Sequence, residues 1–238
     1  GLVATILPDR ALDIAWLSFR GCNLSYLSPC GIVAPEYFHE EGVDFLRSFY
    51  AGFLTTAGLR NVGGPCEDGG ERFGLHGRIA NVPAEEVSAG LSWESGGPRV
   101  EIAGRMREAR LFGERLVLAR RVSFPCGSSE FVIEDAVENQ GFTREPLLLL
   151  YHFNLGYPLL DENAEFLLPA ARTVARDPAD AGGISACRRF QPPTPGYREQ
   201  VFHHEMRADR DGHTCAALVN EGLGLGVAIR YRTGSLRN

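Results

Sequence analysis

Two histidines sit where acid–base chemistry at neutral pH could use them. His152 lies near the end of the most apolar run of the chain, 147–153. An imidazole there must be hydrogen-bonded to offset lost hydration, and burial disfavours its charged form. It is either a structural residue or a proton donor. His76 falls between Leu75 and Gly77, with Arg78 and Asn81 close behind. Those polar groups could converge on one small ligand, and a satisfied histidine in a turn is the alternative. The pair His203-His204 invites a metal, yet neighbours on a strand point to opposite faces and cannot share an ion. No H-x-H, H-E-x-x-H or C-x-x-C pattern accompanies them, so no metal is expected.

Composition narrows the chemistry further. All 24 basic residues among the 238 are arginine, set against 30 acidic ones, for a net charge of −6. Without lysine, a Schiff base or a P-loop nucleotide site is excluded over this stretch. The acidic balance argues against nucleic acid as a partner. No apolar run approaches the ~18 residues of a membrane helix, and no secretory leader is visible. The six cysteines, spread from Cys22 to Cys215, are read as reduced, buried small hydrophobes of a cytoplasmic protein.

The elements that must carry these residues are strands. Short apolar or alternating runs recur between turn signals: 2–7, 12–19, 99–107, 115–124, 131–138, 147–153, 215–219 and 225–231. The run 147–153, apolar on both faces, predicts a central strand. Asp211-Gly212 predicts a hairpin joining the runs on either side of it. Phe45, Leu46, Phe49, Tyr50 and Phe53 have helical spacing, so one short helix is expected within 38–54. The long loop 177–195 would form a rim over a cleft. No strand–helix alternation supports a Rossmann or α/β-barrel fold.

Several stretches together resemble an uncharacterised bacterial family of the aldose 1-epimerase, or galactose mutarotase-like, superfamily. They are 53–59, 61–68, 73–83 (with Leu75-His76-Gly77), 109–114, 149–162 and 196–202. The resemblance spans essentially the whole chain. It implies an all-β, galactose mutarotase-like β-supersandwich with one short helix, residues 1–238 forming a single domain that lacks its N-terminal and C-terminal strands.

The same resemblance implies roles. His152 is similar to the superfamily's general acid, and His76 to the histidine that contacts the sugar near its anomeric end. Glu199 matches an acidic residue that binds sugar hydroxyls, a place more often held by Asp. Arg78, Asn154, Arg60 and Asn61 complete the expected substrate contacts. The expected activity is aldose 1-epimerase-like, interconverting the anomers of a small-molecule sugar without a cofactor. The superfamily's general base, a glutamate on a late strand, has no match here and is expected beyond residue 238. Where no such base exists, the alternative is a non-catalytic carbohydrate-binding or sugar-sensing protein. A sugar phosphate is a third possibility; its signature would be an arginine pair at one end of the cleft.

Overall fold

A computed structural model describes residues 1–94 and 96–236, with Glu94 described by its backbone alone. The chain divides into two compact units, Gly1–Leu155 and Gly156–Asn238. In the first unit, eight strands carry the architecture: β1 (Leu2–Leu7), β2 (Asp13–Phe19), β3 (Leu54–Leu59), β4 (Glu85–Glu94), β5 (Gly97–Ala109), β6 (Arg115–Pro125), β7 (Val132–Asn139) and β8 (Leu148–Phe153). They form two antiparallel sheets, ordered β1-β2-β3-β8 and β7-β6-β5-β4, and the short strand Cys22–Asn23 adds to β2.

Alternation builds the core between these sheets. Along β5, Gly104, Met106 and Glu108 turn inward while Arg107 and Ala109 face solvent. Met106 joins Leu116 and Leu118 of β6, Leu59 of β3 and Leu12 in one buried cluster. Two charged side chains buried there find partners in the facing sheet. Glu108 accepts the Leu59 N–H at 2.9 Å, and Arg120 of β6 binds Asp13 of β2 at 2.8 Å.

Strand β8 departs from expectation. It pairs with β3 alone, from Leu148↔Leu59 to Phe153↔Leu54, and is therefore an edge strand among the described residues. Leu149, Tyr151 and Phe153 point between the sheets: Leu149 joins the core, Tyr151 reaches Asp135, and Phe153 packs on Phe53. Leu148 and Leu150 remain 39% and 38% exposed on the other face. Apolar residues on both faces thus reflect one packed face and one half-open face.

The expected helix within 38–54 is a single 3-10 turn, Asp44–Arg47. It cannot lengthen because Ala51 and Gly52 take positive φ (63° and 70°) and the chain turns into β3. The cysteines are not the buried small hydrophobes expected. All six are free, but four are exposed and two half-buried, because they fall in turns, short ladders or on outward strand positions.

In the second unit, β9 (Ala164–Leu167), β12 (His213–Asn220) and β13 (Leu225–Arg232) form one antiparallel sheet, ordered β9-β12-β13. Strands β10 (Ala170–Ala175) and β11 (Phe202–Met206) form a separate ladder. Asp211-Gly212 does make a turn, with Asp209 accepting the backbone N–H of Asp211 and His213. That turn redirects the chain rather than closing a hairpin, since β11 pairs with β10 and β12 with β9 and β13. Within the loop 177–195, Pro178–Ala186 is 3-10 helical and capped by the Asp177 carboxylate. On β11, His203 is exposed and His204 faces the ladder, where its Nδ1 meets Thr173 Oγ1 at 2.9 Å.

Candidate functional site

His76 is held by backbone from three directions. Its N–H donates to Gly63 O at 3.0 Å, and its carbonyl accepts from Gly58 N at 3.0 Å. The Gly63 N–H donates to His76 Nδ1 at 3.2 Å. An accepting Nδ1 places the proton of the neutral ring on Nε2. The residue adopts φ 61°, in the left-handed region that side chains rarely occupy. Gly77 follows at φ 73°, where an added Cβ would stand 2.3 Å from Gly58 O. Close backbone approach explains the glycine after the histidine.

His152 comes from β8, opposite Thr55 of β3. Asn154 fastens the strand end, donating its amide to His152 O (2.9 Å) and Ala51 O (3.0 Å). The two imidazoles meet edge to face with centroids 5.7 Å apart. Two phenylalanines complete a closed set of four rings. Phe45 lies 5.5 Å from His76, Phe49 lies 5.3 Å from His152, and the two phenylalanines are 5.4 Å apart. Edge-to-face contacts of this kind are worth about 0.5–1.5 kcal/mol each beyond area burial. Phe45 is buried and Phe49 half-buried, so the rings restrict water on one side of both histidines.

Behind His76 stands a network of charges. Arg60 donates to both carboxylate oxygens of Glu71 (2.9 and 3.0 Å) and to Glu145 (3.0 Å). Arg78 binds Glu40 (2.5 Å) and Glu114 (3.2 Å). Arg110 adds contacts to Glu114 (3.3 Å) and Glu71 (3.5 Å). Four carboxylates therefore surround three guanidinium groups. The hydrogen bonds from Arg60 hold the Glu71 carboxyl below its usual range. Burial pushes Glu108 upward, against the pull of the Leu59 N–H and of Arg78 and Arg60.

The structure thus brings His76 and His152 together. Arg60 and Arg78 stand in the adjoining ion-pair network, and Asn61 is buried with its amide donating to Gly74 O at 2.7 Å. Asn154 braces the backbone of β8 as described above. Glu199 belongs to the second unit, exposed and paired with Arg176 at 3.1 Å. Phe45 and Phe49 were visible in the sequence as apolar spacing alone, and Glu40 gave no signal there. The pairing of Phe45 and Glu40 with the His76 loop, and of Phe49 with His152, depends on chain crossings that no local pattern encodes.

Comparison with solved structures connects this geometry to a known class. The chain is similar to the crystal structure of a "putative aldose 1-epimerase" from Klebsiella pneumoniae subsp. pneumoniae MGH 78578. The two are 26% identical with a TM-score of 0.92, over 98% of this chain and 62% of that one. The fold is therefore all-β and of the aldose 1-epimerase, galactose mutarotase-like class. No match is found among curated proteins. The chain belongs to the family described as a domain of unknown function (DUF4432), which matches residues 1–237. Among the described residues, no helix is long and apolar enough to cross a membrane.

Proposed function

We propose that this protein interconverts the α and β anomers of an uncharged sugar. The observation that carries the reading is the His76–His152 pair, 5.7 Å between ring centroids, on a fold shared with an aldose 1-epimerase-like structure. His152 protonates the ring oxygen as a base removes the proton of the anomeric hydroxyl. The C1–O5 bond opens to the aldehyde, the C1–C2 bond rotates, and closure on the other face returns both protons. His76, with its proton on Nε2, donates to a sugar oxygen and holds the ring. Each positioned acid or base group supplies about 10²–10⁴-fold. By resemblance to the superfamily, the base is a glutamate. The site requires no cofactor for this chemistry. The six free thiols support a reducing compartment such as the cytoplasm.

The charges behind His76 support an uncharged sugar over a sugar phosphate, because Arg60, Arg78 and Arg110 are outnumbered by carboxylates within 4 Å. The same pairing favours a second reading. Glu40, Glu71, Glu114 and Glu145 are all bound to arginine, so none stands as an evident base, which suits a sugar-binding protein that does not catalyse. Magnetisation-exchange NMR or polarimetry on a panel of aldoses distinguishes the two. Anomer exchange faster than that of His152→Ala is expected. Wild-type exchange no faster than the variant rejects the enzyme, and saturable sugar binding without exchange establishes the second reading.

A further inference from the structure

Arg10 is wholly buried, at 0% exposure, in the turn between β1 and β2. No described carboxylate lies within ion-pair distance of it; its guanidinium instead donates to three backbone carbonyls. Nε donates to Ala80 O at 2.6 Å, Nη1 to Val33 O at 2.6 Å, and Nη2 to Ser48 O at 3.2 Å. The guanidinium also lies over the Tyr50 ring, 4.9 Å from its centroid. Burying a guanidinium costs hydration that its hydrogen bonds must offset, so net stability is not what such a residue mainly supplies. What a guanidinium adds is a rigid, planar fork of donors.

The three acceptors identify what the fork holds. Ala80 lies in the 3-10 turn Ile79–Asn81, which leaves the His76 loop directly after Arg78. Ser48 sits between Phe45 and Phe49, and its N–H and Oγ both donate to Phe45 O (3.1 and 3.3 Å). Val33 leads into the segment that precedes this turn. Arg10 itself is fixed by its own backbone, its N–H donating to Leu7 O (3.1 Å) and its carbonyl accepting from Asp13 (2.9 Å). One side chain thereby joins the loop of one histidine to the turn whose phenylalanines touch both.

We propose that Arg10 is a positioning residue that sets the spacing between His76 and the Phe45–Phe49 turn, and so the geometry of the His76–His152 pair. Its effect on turnover rests on the anomer-exchange reading above; its effect on the rings does not. A displacement near 1 Å in a reacting group can lower the rate by about 10²-fold.

The test compares Arg10→Met and Arg10→Lys with wild type by unfolding, by ¹H–¹⁵N spectra of the imidazole nitrogens, and by anomer-exchange kinetics. Arg10→Met is expected to fold cooperatively, to shift the His76 and His152 ring signals, and to lose about 10–100-fold in kcat with KM within about threefold. Arg10→Lys, which reaches fewer carbonyls, should fall between; if Arg10→Met does not fold, the lysine variant is judged by the same criteria. Ring signals that stay at wild-type positions in a folded variant overturn the proposal, whatever the rate. So does failure of both variants to fold, which would make Arg10 a residue of the fold alone. If wild type shows no exchange, the anomerase reading falls while the ring signals still decide the role of Arg10.

Discussion

His76 and His152 meet edge to face, their ring planes 82° apart. Neither imidazole can move without disturbing the other or the phenylalanine beside it. Groups that act as one unit give non-additive losses when removed. His76→Asn and His152→Asn are each expected to lower kcat/KM by about 10²–10⁴-fold. The double variant should lose clearly less than the product of the two. Strict multiplicativity in the double-mutant cycle would show that the rings act independently.

How far the sequence revealed this arrangement varies by element. Strands β5 and β7 were legible because accessibility alternates along them, which writes a period of two into the residues, while β1, β6 and β13 were legible as short runs between turn signals. The place of β8 was not legible, because its outer face carries Leu148 and Leu150 at an edge where polar residues usually stand. The pairing of β11 with β10 was hidden by a strong local turn at Gly212, since turn chemistry records a change of direction and not its partner strand. His76 and His152 stood out by residue type and local setting, and their expected roles came from the family resemblance. Arg10 was not found, because its three acceptors are backbone carbonyls 23, 38 and 70 positions away.

Arg120 lies wholly buried between the sheets, bidentate to Asp135 (2.9 and 2.7 Å) and bound to Asp13 at 2.8 Å. Asp13 also accepts from Thr56 N and Oγ1, and Tyr151 donates to Asp135. Removing the cation leaves two buried carboxylates facing each other. Arg120→Met should therefore cost about 3–5 kcal/mol, read from urea denaturation. Adding Asp13→Asn and Asp135→Asn should recover a substantial part of the loss. A loss below about 1 kcal/mol for Arg120→Met alone would contradict this account.

Glu71 gives the network behind His76 a pH dependence. Its carboxyl is held below the ordinary value of 4.5, chiefly by the hydrogen bonds from Arg60. A depressed carboxyl contributes stability that is fully present above 4.5 and lost as pH falls through the folded value. Glu108, raised by burial, works in the opposite sense, its contribution fading as pH rises through its own folded value. Glu71→Gln should flatten the acid limb of the stability profile. It should cost about 1.5 kcal/mol at pH 7, the low end for a charge-assisted pair, because 21% of the Glu71 side chain meets solvent. Unfolding midpoints from pH 3 to 7 decide the matter, and an unchanged acid limb rejects it.

The φ of 61° at His76 makes one further expectation specific. A side chain in the left-handed region costs about 1–2 kcal/mol relative to ordinary backbone, and asparagine enters that region more readily than histidine. In His76→Asn the amide oxygen can still accept the Gly63 N–H that His76 Nδ1 accepts now. The lost edge contacts with Phe45 and His152 are worth about 0.5–1.5 kcal/mol each, so relief and loss nearly cancel. The variant should unfold within about 1 kcal/mol of wild type while its sugar chemistry collapses. Stability retained as function is lost is the behaviour of strain kept for a task. If His76→Asn instead unfolds more easily by about 3 kcal/mol, packing against Phe45 and His152 holds the imidazole, and its conformation stores nothing.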